Sequence, residues 1–146
     1  MLHEQMPGSV YLDGDELRKI FGKSDPTQHF TREWREEQTR ILQRFIAYVA
    51  DQGVTIIVAT VNPYRNIREE FKKSRKDVVE IYVHKTDERQ RESYNVIDYE
   101  APLKNFIDVN TTGHTPVESF NQLMDEHSTW GSTYYKKLAE QAFKKS

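Results

Sequence analysis

Two aspartates flanking a glycine, followed by an arginine, form the first segment that could carry chemistry, Asp13-Gly14-Asp15-x-x-Arg18. The segment directly follows Val10-Tyr11-Leu12, a run that predicts a β-strand. Two carboxylates at a strand end can orient a hydroxyl nucleophile or hold Mg²⁺. A plain strand-to-helix turn is the alternative, because Asp-Gly is a common turn dipeptide and Asp15 is a good N-cap for a helix from Glu16 to Phe21. Spacing alone leaves both interpretations open.

A second polar segment, Asn62-Pro63-Tyr64-Arg65, follows the apolar run Thr55-Ile56-Ile57-Val58-Ala59-Thr60. It offers an amide, a fixed turn, an aromatic ring and a guanidinium, a set that suits a nucleotide with anionic groups. A turn before a helix is again the alternative. Between the two segments, Arg35, Gln38 and Arg40 fall mostly off the apolar stripe of a predicted helix, where a solvated face is the usual explanation.

The elements that must position these residues alternate between β-rich runs and helical periodicity, which predicts an α/β fold with a parallel sheet. The strands are expected at residues 10–12, 55–60, 78–83 and 106–109. In an open parallel sheet, ligands bind beyond the carboxyl ends of the strands. Both polar segments follow such ends, so their position favours a functional role.

Three helices are expected between the strands and after them. Thr31 caps the first, which ends before Gly53 and should pack an apolar stripe on the sheet; the stripe consists of Ile41, Leu42, Phe45, Ile46 and Val49. A second helix runs from about Asn66 to Lys73, and a third opens at the capping box Thr115-Pro116-Val117-Glu118. A helical tail over residues 128–146 carries a narrow stripe, Trp130, Tyr134, Leu138 and Ala142, that the body or another chain must cover, so a homodimer is left open.

Composition narrows the classes of function. A chain of 146 residues, 36% of them hydrophobic, can form one domain, and we expect a single domain over residues 1–146. The formal net charge of −2 gives no global attraction to nucleic acid or membrane. Cysteine is absent, which excludes disulfides and thiolate metal sites, and the five histidines show no ligand spacing. Without a long apolar stretch or a signal pattern, a cytoplasmic location is expected.

Together these segments resemble the adenylylsulfate kinases, P-loop enzymes that move the γ-phosphoryl group of ATP to the 3′-hydroxyl of adenosine 5′-phosphosulfate. The resemblance covers roughly Val10 to Phe120. The first segment is similar to the family's L-D-G-D-x-x-R, whose aspartates serve the hydroxyl and Mg²⁺ and whose arginine holds substrate. Phe30-Thr31-x-x-x-Arg35-x-x-Gln38 is similar to F-S-x-x-x-R-x-x-N, which implies that Phe30 stacks on the substrate base.

Three further segments extend the resemblance. Asn62-Pro63-Tyr64-Arg65 is similar to S-P-Y-R, Tyr99-Glu100-Ala101-Pro102 repeats the Y-E-x-P after the family's lid, and Gln90-Arg91 resembles the start of that lid. The resemblance implies a three-layer P-loop-kinase-like fold, with ATP and Mg²⁺ as cofactors and a small nucleotide as substrate. It assigns Asp13 and Asp15 to catalysis and to Mg²⁺ binding, and Arg91 to contact with the ATP adenine. The residues that it assigns to substrate binding are Arg18, Phe30, Arg35, Gln38, Asn62, Pro63, Tyr64 and Arg65.

Two departures from the family pattern affect the expected activity. The phosphate-binding pattern G-x-x-x-x-G-K-[ST] does not occur in the sequence, and Met1 to Gly8 resembles the end of the helix that follows that loop. We therefore expect that the chain is a fragment or begins at a misassigned start codon, and that a central strand is missing from its sheet. These residues alone should then show little or no kinase activity. The alternative is a natural module that binds a nucleotide without transferring phosphate.

The lid is also short, since only residues 92–98 join Arg91 to Tyr99. Another activated nucleotide, such as cytidine diphosphoramidate, is therefore an alternative acceptor. Tyr94 is a candidate replacement for the second base-stacking ring of the family's lid, with ordinary loop packing as its alternative.

Overall fold

The computed structural model describes residues 1–21, 31–86 and 98–126. The described residues belong to two compact units. One comprises residues 1–21, 31–79 and 98–104, and the other comprises residues 80–86 and 105–126. The single-domain assignment of the whole chain stays a prediction.

The first unit opens with one turn of 3₁₀ helix, His3–Gln5. Its two strands are β1, Val10–Asp13, and β2, Ile56–Ala59, and its helices are α1, Gly14–Ile20, α2, Arg32–Asp51, and α3, Arg65–Ser74. The strands are parallel, with Val10 opposite Ile56 and Asp13 opposite Ala59. Both strands therefore end at the same edge of the sheet, where the two polar segments begin.

The second unit pairs β3, Glu80–His84, with β4, Phe106–Asn110, also in parallel, and adds helix α4, Pro116–Glu126. Its core consists of Ile107, Val109 and Leu123, with Ile81 packed against them. The predicted capping box is confirmed, because the Glu118 amide donates to Thr115 Oγ1 at 3.2 Å and the Thr115 amide donates to the Glu118 carboxylate at 2.7 Å. These hydrogen bonds lower the pKa of Glu118.

The predicted α/β arrangement with parallel strands is confirmed, and each predicted strand is present with its bounds moved by at most two residues. The described strands form two separate pairs, β1–β2 and β3–β4, instead of one continuous sheet. The prediction for α1 was wrong in detail, since Asp13 and not Asp15 is the N-cap and the helix begins at Gly14. Asp13 leaves the strand with extended backbone, φ −94° and ψ 131°, and its carboxylate therefore meets the first free amides of the helix.

Helix α2 has the predicted start and end. Thr31 Oγ1 accepts a hydrogen bond from the Trp34 amide at 3.2 Å, and Gly53, with φ +83°, follows the last turn. The helix packs against β2 and α3. Its predicted apolar stripe is covered only in part, because Ile41 and Phe45 remain 41% and 40% exposed. None of the described helices is long and apolar enough to cross a membrane.

The junction of β1 and α1 requires glycine at position 14. A Cβ there would lie 2.9 Å from Thr60 Cγ2 and 3.3 Å from the Ala59 carbonyl oxygen. We expect Gly14→Ala to lower the free energy of unfolding by about 1–3 kcal/mol, because a packed site cannot admit the methyl group without displacement. Urea unfolding measures the loss. Adding Thr60→Ser removes the closest methyl and should restore part of the stability; equal losses in the single and double variants would contradict the steric explanation.

Candidate functional site

Asp13 stands at the carboxyl end of β1 and has both of its carboxylate oxygens engaged. Oδ1 accepts hydrogen bonds from the amides of Asp15 and Glu16 at 2.9 and 3.2 Å, and Oδ2 accepts one from the Tyr11 hydroxyl at 3.3 Å. Loss of hydration, followed by the charge and hydrogen bond of Asp13, raises the pKa of Tyr11. The phenol therefore stays a neutral donor to this carboxylate near pH 7.

Asp15 occupies the first turn of α1 and faces solvent, with 74% of its side chain exposed. It forms an ion pair with Arg18, one turn later on the same helix. An exposed pair of this kind contributes at most about 1 kcal/mol to stability. Asp15 is thus the aspartate with the smaller structural task, while Asp13 holds the turn. Their catalytic assignments, and the substrate contact of Arg18, stay predictions.

Asn62 lies beyond the carboxyl end of β2 in an unusual backbone conformation, with φ +35° immediately before Pro63. Its carbonyl oxygen accepts a hydrogen bond from Arg68 Nη1 at 2.7 Å. Its side-chain oxygen Oδ1 is buried and has no hydrogen-bond partner among the described residues. Pro63 itself is buried.

Tyr64 belongs to the core, since only 1% of the residue is exposed. The Arg32 guanidinium lies 4.2 Å from the centre of its ring, a cation–π contact. Burial raises the pKa of Tyr64, and a hydrogen bond and the charge of Asp98 add to that rise against the opposing charges of Arg35 and Arg32. The ring is therefore a neutral packing element, and its predicted contact with substrate stays a prediction.

Glu100 connects the beginnings of two helices. Its Oε2 accepts the Arg65 amide hydrogen at 2.9 Å, in the first turn of α3, where the N-cap Tyr64 offers no side-chain bond. Its Oε1 accepts from Arg32, at the start of α2, at 3.4 Å. The Glu100 amide in turn donates to the Pro63 carbonyl at 2.9 Å. The carboxylate thus serves as the missing cap of α3 and favours its positive end.

Two arginines of α3 contact residues 99–101 near the start of that helix. Arg68 is only 7% exposed, and its Nη2 donates to the Glu100 carbonyl while its guanidinium lies 5.2 Å from the ring centre of Tyr99. Arg65 Nε donates to the Ala101 carbonyl at 2.6 Å. Part of the Arg65 guanidinium is therefore engaged by the protein, and its predicted contact with substrate stays a prediction.

The three polar residues of α2 singled out in the sequence are half-buried, unlike side chains on a fully solvated face. Arg40 pairs with Glu70 of α3 at 2.7 Å, which assigns it to the packing of α2 on α3. Arg35 lies near enough to Tyr64 to influence its pKa. Gln38 lies between them along the helix. The substrate-binding assignments of Arg35 and Gln38 stay predictions.

Sequence reasoning missed Arg32, Arg68 and Asp98 as parts of this site. Arg68 is one helical turn after Arg65, a spacing that could have indicated a shared face. For Arg32, the sequence indicates only an ion pair with Glu36 four residues later on the helix. The structure contains that pair, at 2.8 Å. Phe30, Arg91 and Tyr94, together with the tail, lie outside the described residues.

The aspartate pair can be tested as a site for Mg²⁺. Within residues 1–21, 31–86 and 98–126, no three histidine or carboxylate side chains form a metal cluster. Mg²⁺ is usually held by one or two carboxylates together with substrate phosphates and water. Asp13 already accepts three hydrogen bonds and Asp15 is paired with Arg18, and the assignment of the two aspartates to Mg²⁺ stays a prediction.

Comparison with known proteins finds relatives among two kinds of kinase. The chain is 34% identical over 74 residues to the cytidine diphosphoramidate kinase of Campylobacter jejuni. The aligned region covers 51% of this chain and 41% of that protein. It is 37% identical over 86 residues to the adenylyl-sulfate kinase of Myxococcus xanthus, covering 56% and 44% of the two chains.

The chain thus spans less than half the length of those two relatives. It is 28% identical over 141 residues to the adenylyl-sulfate kinase of Gloeothece citriformis, covering 84% and 78% of the two chains. No solved structure matches the chain. The family model for adenylylsulphate kinase matches residues 1–110, and the chain therefore belongs to the adenylylsulphate kinase family.

Proposed function

We propose that this chain carries the acceptor side of an ATP-dependent kinase that phosphorylates the 3′-hydroxyl of an activated nucleotide. The observation that carries the proposal is the meeting of two polar segments at one edge of the β1–β2 sheet. Asp13 and Ala59 end the paired strands there, and the segments that follow bring carboxylates, an amide and arginines to that edge. Such an edge is the usual ligand site of an open parallel sheet.

Each group at this edge has a distinct role in the proposal. Asp15 orients the acceptor hydroxyl, because it is exposed and free of a capping task, while Asp13 maintains the turn and adds negative charge for a metal. Arg18, Arg35 and Arg65 neutralise the anionic groups of the nucleotide. Mg²⁺, when bound with ATP, neutralises charge on the phosphates.

Phosphoryl transfer needs a phosphate-binding loop, and its pattern is absent from the 146 residues. We propose that this loop and a further strand are supplied by upstream residues. Among the described residues β2 pairs with β1 alone, so its other edge is available for a strand. We also propose that the protein is located in the cytoplasm.

Two alternatives have specific support. The similarity to a cytidine diphosphoramidate kinase, together with the short segment between Arg91 and Tyr99, favours a different activated nucleotide as acceptor. The absent loop pattern favours a module that binds a nucleotide without transferring phosphate. The upstream coding sequence separates the second alternative from a kinase, since an in-frame phosphate loop supports transfer and an immediate stop codon supports binding alone.

Acceptor binding by these residues can be tested with Arg35. We expect Arg35→Ala to weaken the binding of adenosine 5′-phosphosulfate by about 1.5–3 kcal/mol, because a charge-assisted hydrogen bond to an anion is lost. Isothermal titration calorimetry measures the affinity, and melting curves check folding. Arg44→Ala, which removes an exposed arginine from the same helix, is the matched control. Equal affinities of the two variants would remove Arg35 from the site.

A further inference from the structure

Helix α4 covers the two strands of the second unit unequally. Val109 of β4 is 4% exposed where the helix packs on that strand, whereas Val83, its register partner on β3, is 62% exposed. A groove of about 420 Å³ lies between the strands and the helix, and its apolar lining includes both valines, Phe120 and Leu123. An apolar groove beside a core is a surface that a further apolar segment can cover.

The apolar surface continues along the outside of α4. Val117 is 57% exposed, and it lies three residues before Phe120, on the same side of the helix. This unit is also acidic, since residues 80–86 and 105–125 contain one lysine, Lys85, and four acidic side chains, those of Glu80, Asp108, Glu118 and Asp125. A segment that covers the groove should therefore be apolar on one side and carry positive charge.

The C-terminal tail over residues 128–146 has both properties, although it lies outside the described residues. Its sequence predicts the helical stripe of Trp130, Tyr134, Leu138 and Ala142, and it contains four lysines and one glutamate. The family model ends at residue 110, so the tail lies beyond the residues that the family pattern matches. The tail thus matches the groove in polarity and in charge.

The length of the tail also fits. Helix α4 has 11 residues and is about 16 Å long, and the stripe from Trp130 to Ala142 would span about 18 Å as a helix. Residues 127–129 are enough for a reversing connection between two helices. A tail that turns back there runs beside the whole of α4 and brings Tyr134 and Leu138 level with Phe120 and Val117. Because tail and groove belong to one chain, docking within the chain is favoured over docking on a second copy.

We infer that the C-terminal tail folds back along α4 as a helix and closes this groove with Tyr134 and Leu138. The inference does not depend on the proposed kinase function. The groove reaches Lys85 and Thr111, just beyond the carboxyl ends of β3 and β4, the edge at which parallel sheets bind ligands. The docked tail therefore buries the exposed apolar surface and keeps small molecules out of the groove.

Disulfide formation tests the inference, because the chain contains no cysteine of its own. Val117→Cys with Leu138→Cys joins two positions that the docked tail brings together. Val117→Cys with Lys136→Cys is the matched control, since residue 136 lies on the opposite side of a helix from residue 138. We expect the first pair to oxidise within one chain at least about tenfold faster than the control, because a disulfide requires Cα atoms within about 7 Å. Non-reducing electrophoresis and mass spectrometry distinguish bonds within a chain from bonds between chains.

A second comparison decides the question where the cysteine variants do not fold. Leu138→Asp should lower the melting temperature and increase the fluorescence of a dye that binds apolar surface, because a carboxylate cannot enter the groove without losing its hydration. Lys136→Asp places the same group on the solvent side of the tail and should change neither measurement.

Four results would overturn the inference. Equal oxidation rates in the two cysteine pairs would mean that the tail is not held on α4. Bonds formed only between chains would assign the groove to a second copy. Loss of the fast bond in a form of the protein extended upstream would assign the groove to the added residues. Equal melting temperatures and dye fluorescence in Leu138→Asp and the wild type would remove Leu138 from the contact.

Discussion

Asp15→Asn is expected to lower the rate of phosphoryl transfer by about 10²–10⁴-fold, measured in a longer form of the protein that supplies a phosphate loop. Asparagine keeps the volume of the side chain but removes the charge that orients the acceptor hydroxyl. Stability should change little, because Asp15 is 74% exposed and its ion pair with Arg18 is exposed as well. Single-turnover kinetics with saturating ATP and acceptor isolates the transfer step.

Asp13 provides the matched comparison, since its carboxylate also caps α1. Asp13→Asn keeps a good N-cap while removing the charge, whereas Asp13→Ala removes both. The alanine variant should therefore lose about 0.5–2 kcal/mol of stability that the asparagine variant retains. Transfer rates equal to the wild type in both Asp15→Asn and Asp13→Asn would contradict the proposed catalytic site.

Extending the protein upstream by roughly 25–30 residues, enough for a strand, a phosphate loop and most of a helix, is expected to raise its stability and to produce turnover. A strand added beside β2 would pair backbone groups that no described strand pairs. Exposed apolar side chains are also available for burial, among them Val61 at 59% and Phe45 at 40% exposure. Each large side chain covered contributes about 1.5–3 kcal/mol.

Thermal melting and a coupled ATP assay measure the two effects of this extension. Replacing the lysine of the added loop with alanine is the control, because it should abolish turnover while keeping the gain in stability. The chain of 146 residues alone should show no steady turnover with ATP and Mg²⁺. An extended protein that melts no higher than the shorter one would contradict the proposed strand.

The secondary structure was predictable because its signals are local. Thr31 and Thr115 both carry the caps expected from their sequence, and the β-branched runs became parallel strands. The choice between Asp13 and Asp15 as N-cap could not be read from sequence, since both are acceptable capping residues one step apart. The choice depends on the residue at which β1 ends, and the pairing of Asp13 with Ala59 makes Asp13 that residue.

The candidate site was predictable in its location and less so in its contacts. The position of both polar segments at one sheet edge follows from the parallel strands, while the roles of their residues stay predictions. The contact of Glu100 with Arg32 and Arg65 joins residues 68 and 35 positions apart, and no periodicity encodes such a pair. The burial of Tyr64 and the backbone of Asn62 likewise depend on tertiary contacts, with Arg32 over the Tyr64 ring and Arg68 at the Asn62 carbonyl. Sequence pattern carries no information on these distances.

The position of the transferred phosphate tests the central claim most directly. The extended protein would be incubated with ATP, Mg²⁺ and, separately, adenosine 5′-phosphosulfate and cytidine diphosphoramidate, and the products would be examined by ³¹P NMR. We predict a new phosphomonoester on the ribose 3′-oxygen of at least one acceptor, absent in Asp15→Asn. A folded, ATP-binding protein that phosphorylates neither acceptor, or that places phosphate elsewhere on the nucleotide, would contradict the assignment of this chain as the acceptor side of a nucleotide 3′-kinase.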